Sequence, residues 1–448
     1  MPPGSRQLSP ARLLAISFAG LIAAGTVLLS LPVASTAGRL SLLDALFTST
    51  SAVCVTGLIV VDTPNALTLF GQLVVLALIQ AGGLGYMAIT TVVAVAIGRH
   101  LTVHERLTLQ EALNVQTMDG LVRFVLSVLK LTLIFESIGA LILALRWSGE
   151  MGFWRALYFG VFHAVSAFNN AGFALFSDSL MARQGDVIVN VVVLGLIISG
   201  GLGFVVLREL GHFRRTRRLS VHTRLVLTVS ALLVVGATLA IFVLEYRNPR
   251  TLGDMSVAQG VLAAFFQAVT PRTAGFNTLD IGAMMPSTLF MLMVLMFIGA
   301  APGGTGGGIK VTTLTITVAA LWATVRGAED AVIFRRRLGA QLVARAFFIS
   351  LIAFLAVNGV AALLLVTEGR GLLPTLFETI SAAGTVGLST GESGSAVSLA
   401  GHFSPVGKLL VIATMYMGRL GPLTLAVAVA HRGAPARVRY PEGQIMVG

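Results

Sequence analysis

The chain has 448 residues, of which 56% are hydrophobic and 11% charged, and its formal charge is +12. A water-soluble fold needs more polar side chains than this to cover its core, so an ordinary soluble domain is excluded. The basic excess does not indicate a nucleic-acid partner, because the Lys and Arg residues are not clustered beside aromatic or amide readers. The single cysteine, Cys54, excludes an internal disulfide and a Cys-based metal site.

Apolar runs able to cross a hydrocarbon layer about 30 Å thick lie, in chain order, near residues 12–33, 67–98, 121–147, 187–208, 222–245, 285–325, 342–366 and 404–430. The first follows Arg6 and Arg12, as a secretory signal would, but it is longer than a signal core of roughly 7–15 residues and reads as a retained membrane helix. The sixth is interrupted. Within each successive pair lies an apolar piece too short to span: Ala45–Ala52, Ala156–Phe168, Val261–Thr270 and Leu373–Ala383. Such lengths suit re-entrant helices, which enter the membrane and turn back.

The four short pieces resemble one another. Phe47, Phe162, Phe266 and Phe377 each stand four residues before a hydroxyl residue: Ser51, Ser166, Thr270 and Ser381. A glycine follows each hydroxyl: Gly57, Gly172, Gly275 and Gly387. The third interval is one residue shorter than the others, so that copy is either truncated or anchored on Phe265. A period of about 110 residues means four related modules. The expected architecture is an all-α polytopic membrane protein, with four pseudo-symmetric span–re-entrant loop–span repeats (8 transmembrane helices) around a central pore. Repeat 1 occupies 1–98, repeat 2 121–210, repeat 3 222–325 and repeat 4 342–432, with a tail over 433–448.

If the re-entrant loops share one side, that side holds 9 Lys/Arg against 11 Asp/Glu, and the other 20 against 7. Arg208, Arg214, Arg215, Arg217, Arg218 and Arg224 crowd one linker, and Arg335, Arg336 and Arg337 another. The positive-inside rule then places linkers and both termini in the cytoplasm.

The loops themselves read Cys54-Val55-Thr56-Gly57, Asn169-Asn170-Ala171-Gly172, Arg272-Thr273-Ala274-Gly275 and Gly384-Thr385-Val386-Gly387. None contains the carboxylates a divalent site would use. Small residues and a final glycine instead let successive carbonyl oxygens face one axis. Four such strands can replace the water shell of an alkali cation, and the carboxy-terminal ends of the short helices favour positive charge there. Potassium at these loop residues is the only metal expected.

The stretches Ser51-Ala52-Val53-Cys54-Val55-Thr56-Gly57-Leu58, Phe168-Asn169-Asn170-Ala171-Gly172-Phe173, Pro271-Arg272-Thr273-Ala274-Gly275-Phe276-Asn277-Thr278 and Ala383-Gly384-Thr385-Val386-Gly387-Leu388 resemble the filter loops of the Trk/Ktr/HKT potassium transporters. The similarity covers nearly the whole chain. With eight spans and the ending Arg439-Tyr440-Pro441-Glu442-Gly443-Gln444-Ile445-Met446-Val447-Gly448, it looks closest to the Ktr membrane subunit. Pro271 departs from the pattern, standing where a hydroxyl or small polar residue is expected.

In the sixth run, Gly299-Ala300-Ala301-Pro302-Gly303-Gly304-Thr305-Gly306-Gly307-Gly308-Ile309-Lys310 cannot continue a helix, since proline removes a donor and glycine maximises backbone freedom. The resemblance identifies it as an intramembrane loop obstructing the inner half of the pore. At the same register stand Gly82-Gly83-Leu84-Gly85, Gly200-Gly201-Leu202-Gly203 and Gly418-Arg419-Leu420-Gly421, where small residues allow close approach. Arg419, an intramembrane charge, reads either as a barrier to cations or as an anchor for the loop's carbonyls. Lys310 reads as snorkelling or capping the end of the loop, with contact to the ions as the alternative. Glu136 reads as a partner for a polar group on a neighbouring helix or as a proton or sodium site. His163 and Glu378 read as hydrogen-bonding groups behind the loops.

The resemblance implies potassium uptake across the cell membrane by a homodimeric pore subunit on a cytosolic ring of nucleotide-binding partners, with sodium as a stimulating ion and lipid as surroundings. No phosphate-cradling motif occurs in this chain, so a regulatory nucleotide belongs to the partner. No nucleophile–base pair or metal-ligand cluster suggests an enzyme. The alternative is a proton- or sodium-coupled symporter with alternating access, although such proteins usually show inverted repeats.

Overall fold

The computed structural model describes residues 10–85, 121–392 and 395–421. The expected tail over 433–448 and parts of the second and eighth apolar runs lie outside them.

The described chain is almost wholly helical, in an order that recurs. A long helix comes first each time: α1 (Pro10–Leu29), then, further along, Leu121–Met151, Val221–Glu245 and Ala340–Glu368. In chain order the rest of the first unit is α2 (Leu42–Val53) and α3 (Leu69–Leu84). The second unit has α4 (Leu121–Met151), α5 (Phe153–Phe168), α6 (Val187–Gly201) and α7 (Phe204–Thr216). The third has α8 (Val221–Glu245), α9 (Val257–Val269), α10 (Pro286–Phe297) and α11 (Val311–Val325). The fourth has α12 (Ala340–Glu368), α13 (Leu372–Gly384) and α14 (Pro405–Leu420). Among the described residues α1, α4, α8 and α12 are long and apolar enough to cross a membrane, and α6–α7 adds a fifth if taken as one broken span.

Local sequence explains the helix starts. Ser41 accepts from the Asp44 amide at 3.1 Å to open α2, and Ser256 with Gln259 forms a capping box at α9. Pro286 and Pro405 occupy the first turns of α10 and α14, where no amide donor is required. The core lies behind the short helices: Phe47, Phe162, Phe266 and Phe377, at equivalent places in α2, α5, α9 and α13, are all 0% exposed. Outward faces of the long helices carry exposed Leu133, Leu141, Leu232, Leu239, Leu351 and Leu355, as helices bathed in hydrocarbon do.

α3 and α14 stop at Leu84 and Leu420, before Gly85 and Gly421 (φ 75° and 83°), short of the ends expected for the runs 67–98 and 404–430. Two further features differ from the sequence expectation. The run 187–208 is not one continuous helix: α6 and α7 meet at Leu202-Gly203 with a bend of 104°. Gly203 has φ +89°, which a side chain would resist, and the α7 N-terminal amide of Phe204 bonds to the Gly303 carbonyl at 2.9 Å instead of to its own helix. The second is a hairpin in the arginine-rich linker, where β1 (Val332–Ile333) pairs antiparallel with β2 (Arg336–Arg337). Its two-residue turn is Phe334-Arg335, both left-handed (φ 46° and 61°), the geometry that matches strand twist. Neither residue is a usual choice for that turn, so periodicity gave no sign of it.

Candidate functional site

The four short helices end facing one centre, and the four loops that follow them meet there. What surrounds each final glycine shows the closure. A Cβ on Gly57 would lie 2.5 Å from the Ala171 carbonyl oxygen, on Gly172 3.0 Å from that of Ala274, and on Gly275 2.7 Å from that of Val386. A Cβ on Gly387 would strike the Thr56 carbonyl oxygen. The contacts run from the first loop to the second, third and fourth, and back to the first. The loops therefore form a closed ring, each glycine against the carbonyl that precedes the next.

The backbone has the same signature in every loop. Val55, Asn170, Thr273 and Thr385 are left-handed (φ 56°, 59°, 75° and 49°), and so are Gly57, Gly172, Gly275 and Gly387 (φ 92°, 73°, 78° and 92°). The residue between each pair is not. Alternating handedness turns successive carbonyls to one side of a strand, whereas an ordinary β-strand alternates them. Left-handed β-branched residues cost on the order of 1–3 kcal/mol each and persist only where surroundings enforce them. Here the hydroxyls two turns back supply the enforcement. Ser51 and Ser381 accept from the amides of Gly57 and Gly387, both at 3.1 Å. Ser166 donates to the Phe173 carbonyl at 2.7 Å, and Thr270 donates to that of Phe276.

The third loop is the short one. The amides of Thr56, Ala171 and Val386 each bond five residues back, to Ser51, Ser166 and Ser381, whereas Ala274 bonds four back to Thr270. Pro271 falls in this tighter turn, just past the end of α9 at Val269, where the other three loops still have a helical alanine. Arg272 points away from the ring into a mostly apolar recess of about 210 Å³ that Ala300 also lines. It shares the ring's backbone but not its centre.

On one side of the ring lies the loop over 298–310. Cβ atoms on Gly306 and Gly307 would strike the hydroxyls of Thr273 and Thr385, so the loop sits directly against two of the ring strands. It is docked on the α6–α7 break: Ala301 N bonds to Gly201 O at 3.0 Å, and Thr305 N to Gly200 O at 3.2 Å. The Thr305 hydroxyl donates to Phe168 O at 3.1 Å. Arg419 donates to the carbonyls of Thr305 and Gly82, and to that of Gly83 at 3.4 Å. Lys310 Nζ turns back onto Gly306 O at 2.6 Å. Both cations thus end on carbonyls. Gly82, Gly200 and Gly418 leave no room for a side chain against the carbonyls of Val53, Phe168 and Ala383, the last turns of α2, α5 and α13.

On the ring's other side opens a vestibule of about 460 Å³ with the four glycines at its floor. Asp62, Asp178, Asp280 and Glu392, one from each unit, lie on its wall, and none of its lining residues is Lys or Arg. The Arg370 guanidinium, hydrogen-bonded to Glu392, holds that carboxylate below its ordinary range. These acids escaped sequence reasoning, although each stands five or six residues after its glycine, a repeat as regular as that of the hydroxyls. Behind the ring, His163 takes the Leu175 amide at 3.3 Å and faces Phe159 O at 2.8 Å, while Glu378 accepts from the Ala400 amide at 2.9 Å. Glu136 meets Gln80 and Asn169. No cluster of potential metal-ligating side chains exists among the described residues.

The family profile described as TrkH, "Cation transport protein", matches residues 15–435. The chain is 42% identical over 443 residues to Ktr system potassium uptake protein B of Bacillus subtilis, covering 99% of this chain and 97% of the relative. It is 37% identical over 450 residues to the potassium/sodium uptake protein NtpJ of Enterococcus hirae, covering 99% and 98%. Among solved structures, the potassium transporter TrkH from Vibrio parahaemolyticus superimposes with a TM-score of 0.73 at 19% identity, over 96% of this chain and 86% of that one, a likeness of fold.

Proposed function

The chain belongs to the TrkH family of cation transport proteins, and on that premise we propose that it carries potassium into the cell through the ring of four loops. The closed circle of glycines with its fourfold alternation of handedness is the observation that carries this reading, because it turns main-chain oxygens toward one passage. The tetrads 54–57, 169–172, 272–275 and 384–387 form the filter. Their lack of carboxylates suits a monovalent ion that sheds its water, and the acidic vestibule supports a cation as cargo, since fields of one sign in a cleft raise local counter-ion concentration.

The loop over 298–310 serves as the gate and Arg419 as its latch. Eight spans in four repeats, with linkers and termini in the cytoplasm, are supported by the recurring element order and the charge asymmetry. A further protein partner is supported by similarity to a relative named as one protein of a Ktr system, and a homodimer on a cytosolic nucleotide-binding ring is the form of that assembly in this reading. Sodium as a second ion is supported by the relative named for potassium and sodium.

The test is growth of a potassium-uptake-deficient cell at low external potassium with the wild type and with Gly275→Ser. The wild type restores growth. The variant, whose side chain meets the Val386 carbonyl 2.7 Å from its Cβ, loses rescue or ion preference. Rescue with unchanged preference would sink the reading. Steep dependence of flux on a proton or sodium gradient would favour coupled symport instead.

A further inference from the structure

We propose that Glu136 is the positioning residue of the second filter strand, holding Asn169 in place and so setting how well the pathway separates potassium from sodium. This rests on the filter reading above.

Glu136 lies near the middle of α4 and is 6% exposed. Its Oε1 accepts from Asn169 Nδ2 at 3.0 Å and its Oε2 from Gln80 Nε2 at 3.3 Å. Asn169 Nδ2 shares its two hydrogens with two further acceptors as well, Gln80 Oε1 at 2.8 Å and the Val165 carbonyl at 2.9 Å. Side chains from α3, α4 and the loop after α5 thus close a triangle. A carboxyl group in an apolar interior is tolerated only where its oxygens are hydrogen-bonded, and here both are taken by amides.

The triangle fixes more than a contact. Turning the Asn169 amide over would set its oxygen against the carboxylate, so Glu136 dictates which way the amide faces. Asn169 is the C-cap of α5 and the first residue of the second tetrad, and it precedes left-handed Asn170. A shift at Asn169 is therefore delivered to the carbonyls of the ring. The equivalent places in the other loops hold Cys54, Arg272 and Gly384, and among the described residues none of these makes a side-chain hydrogen bond. Among the described residues, the second strand is the one held at its base in this way. Two residues beyond Gln80, the Gly82 carbonyl accepts from Arg419, so the triangle also fixes the helix end to which the loop beneath is tied.

Whether discrimination comes from cavity size or from the field of the carbonyls, it depends on where each strand stands. A strand released from its anchor can close around the smaller ion. That predicts a loss of preference without a loss of passage, which a merely structural carboxylate would not produce.

The experiment measures rubidium uptake into proteoliposomes holding the full chain, and its competition by potassium against sodium. Glu136→Ala lowers the potassium-over-sodium preference about tenfold, equivalent to ~1.4 kcal/mol, while uptake persists. Glu136→Gln lowers the preference by a smaller factor than Glu136→Ala does, because its amide oxygen still accepts from Asn169 while its amide nitrogen meets the Gln80 donor. Gln80→Ala lowers preference in the same direction by a smaller factor, and decides the matter should Glu136→Ala fail to accumulate. Unchanged preference in either alanine variant at normal protein levels overturns the proposal. So does a Glu136→Gln variant without transport, which would assign the charge itself to ion coupling. A wild type with no preference for potassium refutes the filter reading instead.

Discussion

Removing the Arg419 guanidinium should open the pathway. In the structure it ties the Thr305 carbonyl of the inner loop to the Gly82 carbonyl at the end of α3. Hydrogen bonds from a charged donor contribute on the order of 1.5–3 kcal/mol each. The bond to Gly82 can persist when the loop withdraws, so only the bond to Thr305 differs between closed and open states. Taking ~2 kcal/mol for it, Arg419→Ala raises the open-to-closed ratio roughly 30-fold, which moves an open fraction of about 1% to about a quarter. The assay is rubidium uptake per reconstituted protein. Loss of a positive charge near the path acts in the same direction, and Arg419→Lys separates the two contributions: it keeps the charge but lacks the planar fork that spans both carbonyls. A latch predicts faster uptake in the lysine variant, whereas simple repulsion predicts wild-type behaviour. Uptake that is unchanged or abolished in Arg419→Ala, with protein at normal levels, refutes the latch.

Ser51→Ala and Ser381→Ala each remove the hydroxyl that accepts from a filter glycine amide, so potassium preference should fall about fivefold for ~1 kcal/mol lost, read by ion competition. Gly200→Ala should block assembly or lower the melting temperature by several degrees because the Phe168 carbonyl occupies the space; Gly195→Ala, five residues earlier with nothing nearby, should raise it slightly, by ~0.5–1 kcal/mol of stability. Asp280→Asn, in the vestibule, should weaken apparent potassium affinity roughly twofold at low ionic strength, an effect that shrinks near 0.15 M salt where the Debye length is about 8 Å. An unchanged affinity at low salt would remove the vestibule from the electrostatic argument.

Much of this was legible because the chain repeats itself. The Phe–hydroxyl–glycine spacing located all four short helices to within a few residues, and the glycine-rich run 299–308 marked where α10 had to stop. Composition could say that Gly203 permits a turn, but not that α6 takes one. At that bend the loop over 298–310, distant in sequence, supplies partners for the freed amides and carbonyls. Glu136 was readable as needing a polar partner, yet Asn169 and Gln80 could not be picked out, since helix rotation decides which amides face it. The vestibule acids carried a spacing signal that was visible and went unused. The Phe334-Arg335 turn carried none.

The docking of the inner loop on the α6–α7 break has a thermodynamic corollary. The carbonyls of Gly200 and Gly201 have as partners the amides of Thr305 and Ala301, and they lie within a mostly apolar helix region. Pulling the loop aside strips those oxygens bare, and bare peptide groups are not tolerated away from water. Retraction and flooding of the inner cavity must then be one event, so the passage has no dry open form: solvent arrives as a co-substrate of opening. Conditions that lower water activity should hold the passage shut even when every residue of the latch is gone.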